Sequence, residues 1–168
     1  MMLYNFGQKE RYVSLLSPAK INLFLAVTGK RADGYHELLS LFCPVTLYDT
    51  ITLTFGEPDI RVSCGHPDVP ENEGNIAYRA ATLFFGRLKK NDGVMIRIDK
   101  QIPVAAGLGG GSSNAATVLT ALNEYYQRPF SQKELGEMGL KLGADVPFFI
   151  FGKPALARGI GEKLEAVG

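Results

Sequence analysis

The sequence predicts a single domain of mixed α and β structure. Its 168 residues, 46% hydrophobic and 21% charged, suffice for one globular core and are too few for two comfortable domains. Apolar residues alternate with polar ones over residues 21–25 and 51–55, which is typical of strands. They recur with a helical period of 3.6 residues over 76–84 and 118–126. The two periodicities together indicate a mixed α and β chain.

The net charge argues against two classes of partner, and the cysteine content indicates a cellular compartment. A net charge of +1 and a pI near 7.7 provide no strong field for nucleic acid or an acidic membrane surface, so we expect neither partner. No apolar run approaches the length that spans a bilayer. Cys43 and Cys64 lack a CxxC spacing, and residues 1–11 lack the apolar segment of a signal peptide. We therefore predict a cytoplasmic protein, while cysteine pairing and oligomeric state stay open.

The first half of the chain predicts mainly strands. Residues 1–10 are polar and unpatterned, and we expect an extension there. Segments with strand character are 11–27, which Pro18 interrupts, and 38–47, 49–55 and 59–64. Residues 28–37 and 65–74 are rich in turn residues, and His66 in the second of these has no neighbour at metal-ligand spacing.

The second half predicts three helices and two strands. Helices are expected from the Asn75 cap to about Lys90, from Ala115 to Tyr126 after a cap at 112–114, and from the Ser131 capping box to about Leu142. Strands are expected at 93–99 and 155–158. Asp145 is the single carboxylate of an apolar segment, 144–151, and lies between a helix end and a proline.

A glycine-rich stretch, residues 103–116, organises the chain. Its four glycines (Gly107, Gly109, Gly110, Gly111) can turn successive N–H groups toward one point, and a helix follows directly. Such a loop at a helix N-terminus favours a phosphate group. The spacing matches neither a P-loop nor a dinucleotide fingerprint, and an ordinary glycine-rich turn is the alternative.

Four further residues could carry chemistry. Lys20 and Asn22 share one face of a strand, where a lysine is often only an edge charge. Tyr35 and His36 follow an Asp-Gly turn and could stack on and hydrogen bond to a flat heterocycle, or merely decorate the surface.

Four segments together resemble one family of small-molecule kinases. They are Pro-Ala-Lys-Ile-Asn-Leu-Phe-Leu (18–25), Gly-Lys-Arg-Ala-Asp-Gly-Tyr-His-Glu-Leu (29–38), the glycine loop, and Leu-Gly-Ala-Asp-Val-Pro-Phe-Phe (142–149). The chain resembles the 4-diphosphocytidyl-2-C-methyl-D-erythritol kinases, within the superfamily of galactokinase, homoserine kinase, mevalonate kinase and phosphomevalonate kinase, from Ser17 to about Val167. The resemblance implies an α+β fold of the ribosomal protein S5 domain 2-like type, with a mostly antiparallel sheet and helices packed on one side.

The resemblance also implies an activity and a site. The activity is phosphoryl transfer from ATP, usually with Mg²⁺, to the 2-hydroxyl of the methylerythritol unit of a small-molecule substrate in the non-mevalonate route to isoprenoid precursors. Asp145 would be the base or orienting carboxylate, with Lys20 as its partner and a stabiliser of transferring charge. Asn22, Tyr35 and His36 would hold the substrate, the last two at its cytosine. The ATP-binding residues would be Pro103, Ala106, Gly107, Leu108, Gly109, Gly110, Gly111, Ser112, Ser113 and Asn75.

The resemblance departs in length and at one residue. Members of the family are considerably longer, so residues 11–168 are expected to be the N-terminal ATP-binding domain, with the C-terminal domain absent. Arg79 replaces a usual lysine near the adenine. The alternatives are a catalytically incomplete nucleotide- and cytidine-binding fragment and an RNA-binding module, which the lack of a basic stripe disfavours. Tyr35 and His36 disfavour a kinase acting on mevalonate or homoserine.

Overall fold

A computed structural model describes residues 11–30, 36–159 and 161–167, without the side chains of Lys30 and His36. Within these residues the chain alternates between strands and helices. The elements are β1 (Tyr12–Lys30), β2 (His36–Glu57), β3 (Ile60–Ser63), α1 (Ile76–Leu88), β4 (Gly93–Asp99), α2 (Gly110–Tyr125), α3 (Gln132–Leu142), α4 (Val146–Phe151), β5 (Ala155–Gly159) and β6 (Lys163–Ala166).

The strands form one mixed sheet in the order β3-β4-β2-β5-β6, with β1 paired to β2. The β3–β4 pair is parallel, and the other described pairs are antiparallel. Alternate side chains of β2 and β4 are buried against α1 and α2, among them Ile51, Leu53 and Ile96. Arg97 and Asp99, on the opposite face of β4, are exposed. The predicted α+β class is confirmed.

Two strands are longer than the sequence predicts. Pro18 does not end a strand, because a shift in pairing register between Pro18 and Ala19 absorbs it within β1. The segments predicted at 38–47 and 49–55 are one strand, β2. β2 stays continuous because β1 pairs along one side of it while β5 and β4 pair with successive parts of the other.

The helices confirm two predicted caps and correct a third. Asn75 caps α1, and Ser131 begins α3 with a complete capping box. The prediction that residues 112–114 cap the second helix is wrong, since α2 already begins at Gly110 after Gly109. Residues 146–151, predicted only as an apolar segment, form the short helix α4.

A buried contact between β1 and α2 engages two of the side chains predicted to cap the helix. The Ser17 hydroxyl lies 2.8 Å from Ser113 Oγ and 2.9 Å from Asn114 Oδ1. These two α2 side chains are therefore used to dock the helix on β1 and not to cap it. Among the described residues, no helix is long and apolar enough to cross a bilayer.

Candidate active site

The loop between β4 and α2 presents an open helix N-terminus. Gly109, the residue before the helix, has a φ of 71° and offers no side chain to cap α2. The N–H groups of the first helical turn have no acceptor within a helix, so they are available to an anion. The Lys20 N–H donates to the Leu108 carbonyl at 2.9 Å, which ties this loop to β1.

A cavity of about 400 Å³ lies over this helix end. Its lining includes nine of the ten residues predicted to bind ATP: Asn75, Pro103, Ala106, Gly107, Leu108, Gly109, Gly110, Gly111 and Ser112. Ser113, the tenth, is fully buried against Ser17. Arg79 lines a different groove, with Glu73 and Lys141.

Lys20, Asn22 and Asp145 come together beside the loop. The Lys20 ammonium donates to Asn22 Oδ1 at 3.0 Å and lies 3.4 Å from Asp145 Oδ2. Lys20 is only 5% exposed, whereas the Asp145 side chain is 31% exposed and open to a ligand. The ammonium also lies 4.8 Å from the centre of the Phe42 ring. A buried cation and an accessible carboxylate in contact can bind a transferring phosphoryl group and accept a proton.

Local structure places both charged groups. β1 carries Lys20 at the level of the loop through the bond to Leu108. Asp145 is the residue before α4, held between the end of α3 and Pro147. A Cβ on Gly109 would lie 3.2 Å from Lys20 Cγ, so the glycine allows the loop to pack closely on the lysine.

The two residues predicted to bind the cytosine lie wholly or partly outside the residues that the structure describes. Tyr35 is not among the described residues, and of His36 only the backbone is described, paired with Lys30 across β1 and β2. Asn22 is exposed in the middle of β1, opposite Phe42 of β2. The roles of these three residues stay predictions.

Asn75 holds the cavity wall as well as lining it. Its Oδ1 accepts from the Ala77 N–H at 2.9 Å, and its Nδ2 donates to the Pro70 carbonyl at 2.8 Å. The side chain therefore fixes the start of α1 to the 65–74 loop. Both polar atoms of the amide are engaged within the protein.

Replacing Asn75 with alanine is expected to lower the free energy of unfolding by about 2 kcal/mol, because a buried helix cap and a bond to Pro70 are both lost. Urea denaturation measures the change. Asn75→Ser is the matched control, since a serine hydroxyl can also cap the helix but has no amide donor for Pro70. Equal stability of both variants and the unsubstituted chain would contradict the assigned capping role.

Sequence reasoning missed a second lysine–aspartate pair at the cavity. Lys100, directly after β4, lies 2.5 Å from Asp49 Oδ2, and its chain lines the cavity. A carboxylate within the otherwise apolar and threonine-rich second half of β2 was the available signal, but its partner is 51 residues away.

Mg²⁺ commonly binds through one or two carboxylates together with substrate phosphates. The described residues contain no cluster of three side chains able to hold a metal alone. Asp145, half-buried beside Lys20, fits metal binding by one carboxylate, in which a bound nucleotide would supply the remaining oxygens.

Comparison with known proteins shows which class of enzyme this chain resembles. Residues 75–153 match the family described as "GHMP kinases N terminal domain", which includes the loop, α2 and Asp145. This part of the chain, with its fold and its site, is therefore similar to the N-terminal domain of the GHMP small-molecule kinases. A homoserine kinase from Cytophaga hutchinsonii shares the fold with a TM-score of 0.71 at 18% identity, covering 99% of this chain and 54% of that one.

Closer relatives are more specific. Proteins named 4-diphosphocytidyl-2-C-methyl-D-erythritol kinase from Citrifermentans bemidjiense and Syntrophotalea carbinolica are 53% and 55% identical to this chain over 92% of its length. A crystal structure of 4-(cytidine 5'-diphospho)-2C-methyl-D-erythritol kinase matches 92% of it with a TM-score of 0.78 and 44% identity. The predicted resemblance to these kinases is confirmed. The chain spans 55–56% of the length of these three proteins.

Proposed function

We propose that this chain is the ATP-binding part of a kinase that phosphorylates the 2-hydroxyl of 4-diphosphocytidyl-2-C-methyl-D-erythritol, a step toward isoprenoid precursors by the non-mevalonate route. The observation that carries the proposal is the Lys20–Asp145 ion pair, whose lysine backbone is hydrogen bonded to the loop before the open N-terminus of α2. The names of the close relatives support this substrate.

The geometry suits phosphoryl transfer. The N–H groups at the start of α2 would bind the ATP phosphates, and Lys20 would stabilise charge on the transferring group. The substrate hydroxyl oxygen would attack the γ-phosphorus as the bond to the ADP oxygen breaks, and the hydroxyl proton would pass to the Asp145 carboxylate. Bound Mg²⁺, held by Asp145 and phosphate oxygens, would neutralise phosphate charge.

Three further assignments, of domain bounds, fold class and location, belong to the same proposal. Residues 11–168 would be the N-terminal ATP-binding domain, with residues 1–10 as an extension. Its mixed sheet with helices supports the ribosomal protein S5 domain 2-like class. The described cysteines, Cys43 and Cys64, are free, which suits a cytoplasmic location.

A second candidate is a fragment that binds nucleotide and cytidine without turnover. It is favoured by one observation, that the chain spans only 55–56% of the length of its relatives. The residues proposed to bind ATP and the Lys20–Asp145 pair both lie in this chain. Assays of binding and of transfer on the chain therefore distinguish the two candidates.

The test is transfer of labelled γ-phosphate from ATP to 4-diphosphocytidyl-2-C-methyl-D-erythritol by this chain, with mevalonate and homoserine as competing acceptors. Transfer to the cytidine substrate alone is the expected result. Binding of ATP and that substrate without transfer would favour the second candidate. Preference for mevalonate or homoserine would overturn the proposed substrate.

A further inference from the structure

Asp49 collects three donors from consecutive residues at the start of the phosphate loop. Its Oδ2 lies 2.5 Å from Lys100 Nζ, and its Oδ1 accepts from the N–H groups of Gln101 and Ile102 at 2.8 and 2.9 Å. The Asp49 side chain is fully buried. A buried carboxylate is costly unless it is paired, so this arrangement fixes residues 100–102 firmly on β2.

Lys100 connects the buried Asp49 carboxylate to the cavity. Its side chain is 7% exposed and lines the cavity over the loop. A Cβ on Gly110 would lie 3.0 Å from Lys100 Nζ, so the ammonium lies beside the first residue of α2. Lys20, which pairs with Asp145, approaches Gly109 from β1. Both lysine–aspartate pairs therefore lie at the same helix end.

We infer that Asp49 is a positioning residue of the nucleotide site: it holds the Lys100 ammonium at the N-terminus of α2, where that ammonium contacts a nucleotide phosphate. This inference rests on the proposed function, since it assumes that ATP binds in this cavity. A lysine side chain has four rotatable bonds and points to water when nothing holds it. The carboxylate keeps the ammonium in place before the nucleotide arrives, which lowers the entropy cost of binding.

A merely structural role for Asp49 makes a different prediction. If Asp49 only fastened the backbone of Gln101 and Ile102, its loss would loosen the cavity for every part of the nucleotide. If it acts through Lys100, its loss weakens binding of the phosphates and leaves binding of the nucleoside unchanged. The difference between ATP and adenosine affinity separates the two roles.

The experiment measures dissociation constants for ATP and adenosine by calorimetry. The variants are Asp49→Asn, Lys100→Met and the double variant, which removes both charges and leaves neither unpaired. The amide in Asp49→Asn can still accept the two backbone N–H groups, but it no longer pairs with the ammonium. Asp99→Asn is the matched control, because it removes an exposed carboxylate next to Lys100 that pairs with Arg97.

Lys100→Met is expected to raise the dissociation constant for ATP about tenfold, the usual effect of losing one charge-assisted hydrogen bond. Asp49→Asn should raise it at least about threefold, and the double variant should be no weaker than Lys100→Met, because the two residues act as a unit. Adenosine binding should stay unchanged throughout, and Asp99→Asn should match the unsubstituted chain.

The outcomes separate this inference from the proposed function. Failure of the unsubstituted chain to bind ATP would overturn the proposed nucleotide site. With ATP bound, equal losses for ATP and adenosine in Asp49→Asn, or ATP binding as tight as before, would overturn the positioning role alone. Should Asp49→Asn not fold, unchanged ATP affinity in Lys100→Met would overturn the inference by itself.

Discussion

Asp145→Asn is expected to lower the rate of phosphoryl transfer by about 10² to 10⁴, the usual effect of removing a general base. The amide is nearly the same size as the carboxylate, but it cannot accept the hydroxyl proton and no longer offers a negative partner to Lys20. Single-turnover transfer from labelled ATP, measured at saturating ATP, reports the chemical step. Where the unsubstituted chain shows transfer, near-normal transfer by the variant would remove Asp145 from the mechanism.

Two controls keep that result interpretable. Asp59→Asn makes the same chemical change at an exposed carboxylate paired with Arg61, just before the edge strand β3, and should transfer phosphate normally. Measured without Mg²⁺, ATP affinity should change little in Asp145→Asn, because the phosphates are proposed to bind chiefly the N-terminus of α2. A large loss of ATP affinity would instead assign Asp145 to nucleotide binding.

Sequence reasoning succeeded where the decisive contacts are local. The cap of α1 depends on Asn75 and the N–H two residues later, and the start of α3 depends on Ser131 and Glu134. Both motifs lie within four residues, so the sequence carries the whole signal. The segment from Gly93 to Asp99 was likewise predicted as a strand with its bounds intact.

It failed where distant residues decide. Ser113 has the side chain of a helix cap, but Ser17, 96 residues away, engages its hydroxyl, and α2 starts earlier. The Asp49–Lys100 pair escaped prediction for the same reason, since register between β2 and β4 brings the two residues together. The candidate site was largely predicted through the family resemblance, whereas its second lysine came only from the fold.

Gly109→Ala is expected to lower the free energy of unfolding by about 2–4 kcal/mol, through strain at a φ of 71° together with overpacking. The new Cβ would lie 2.9 Å from the Phe149 ring and 3.2 Å from Lys20 Cγ. Urea denaturation measures the stability. Lys20 lies on β1 and Phe149 on α4. The clash can therefore be relieved only if the lysine, the Phe149 ring or the loop itself moves.

Gly107→Ala is the matched variant that separates strain from crowding. Gly107 has nearly the same φ, 75°, but a Cβ there would have no neighbour within 4 Å among the described residues. It should therefore lose only about 1–2 kcal/mol of stability, the cost of the backbone conformation. Gly109→Ala should in addition lose about 10² in transfer rate, because a displacement of Lys20 by about 1 Å disturbs the alignment at the phosphoryl group. Equal stability and equal transfer rates of the two variants would contradict both effects, and the close approach of glycine to lysine would then have no part in holding the site.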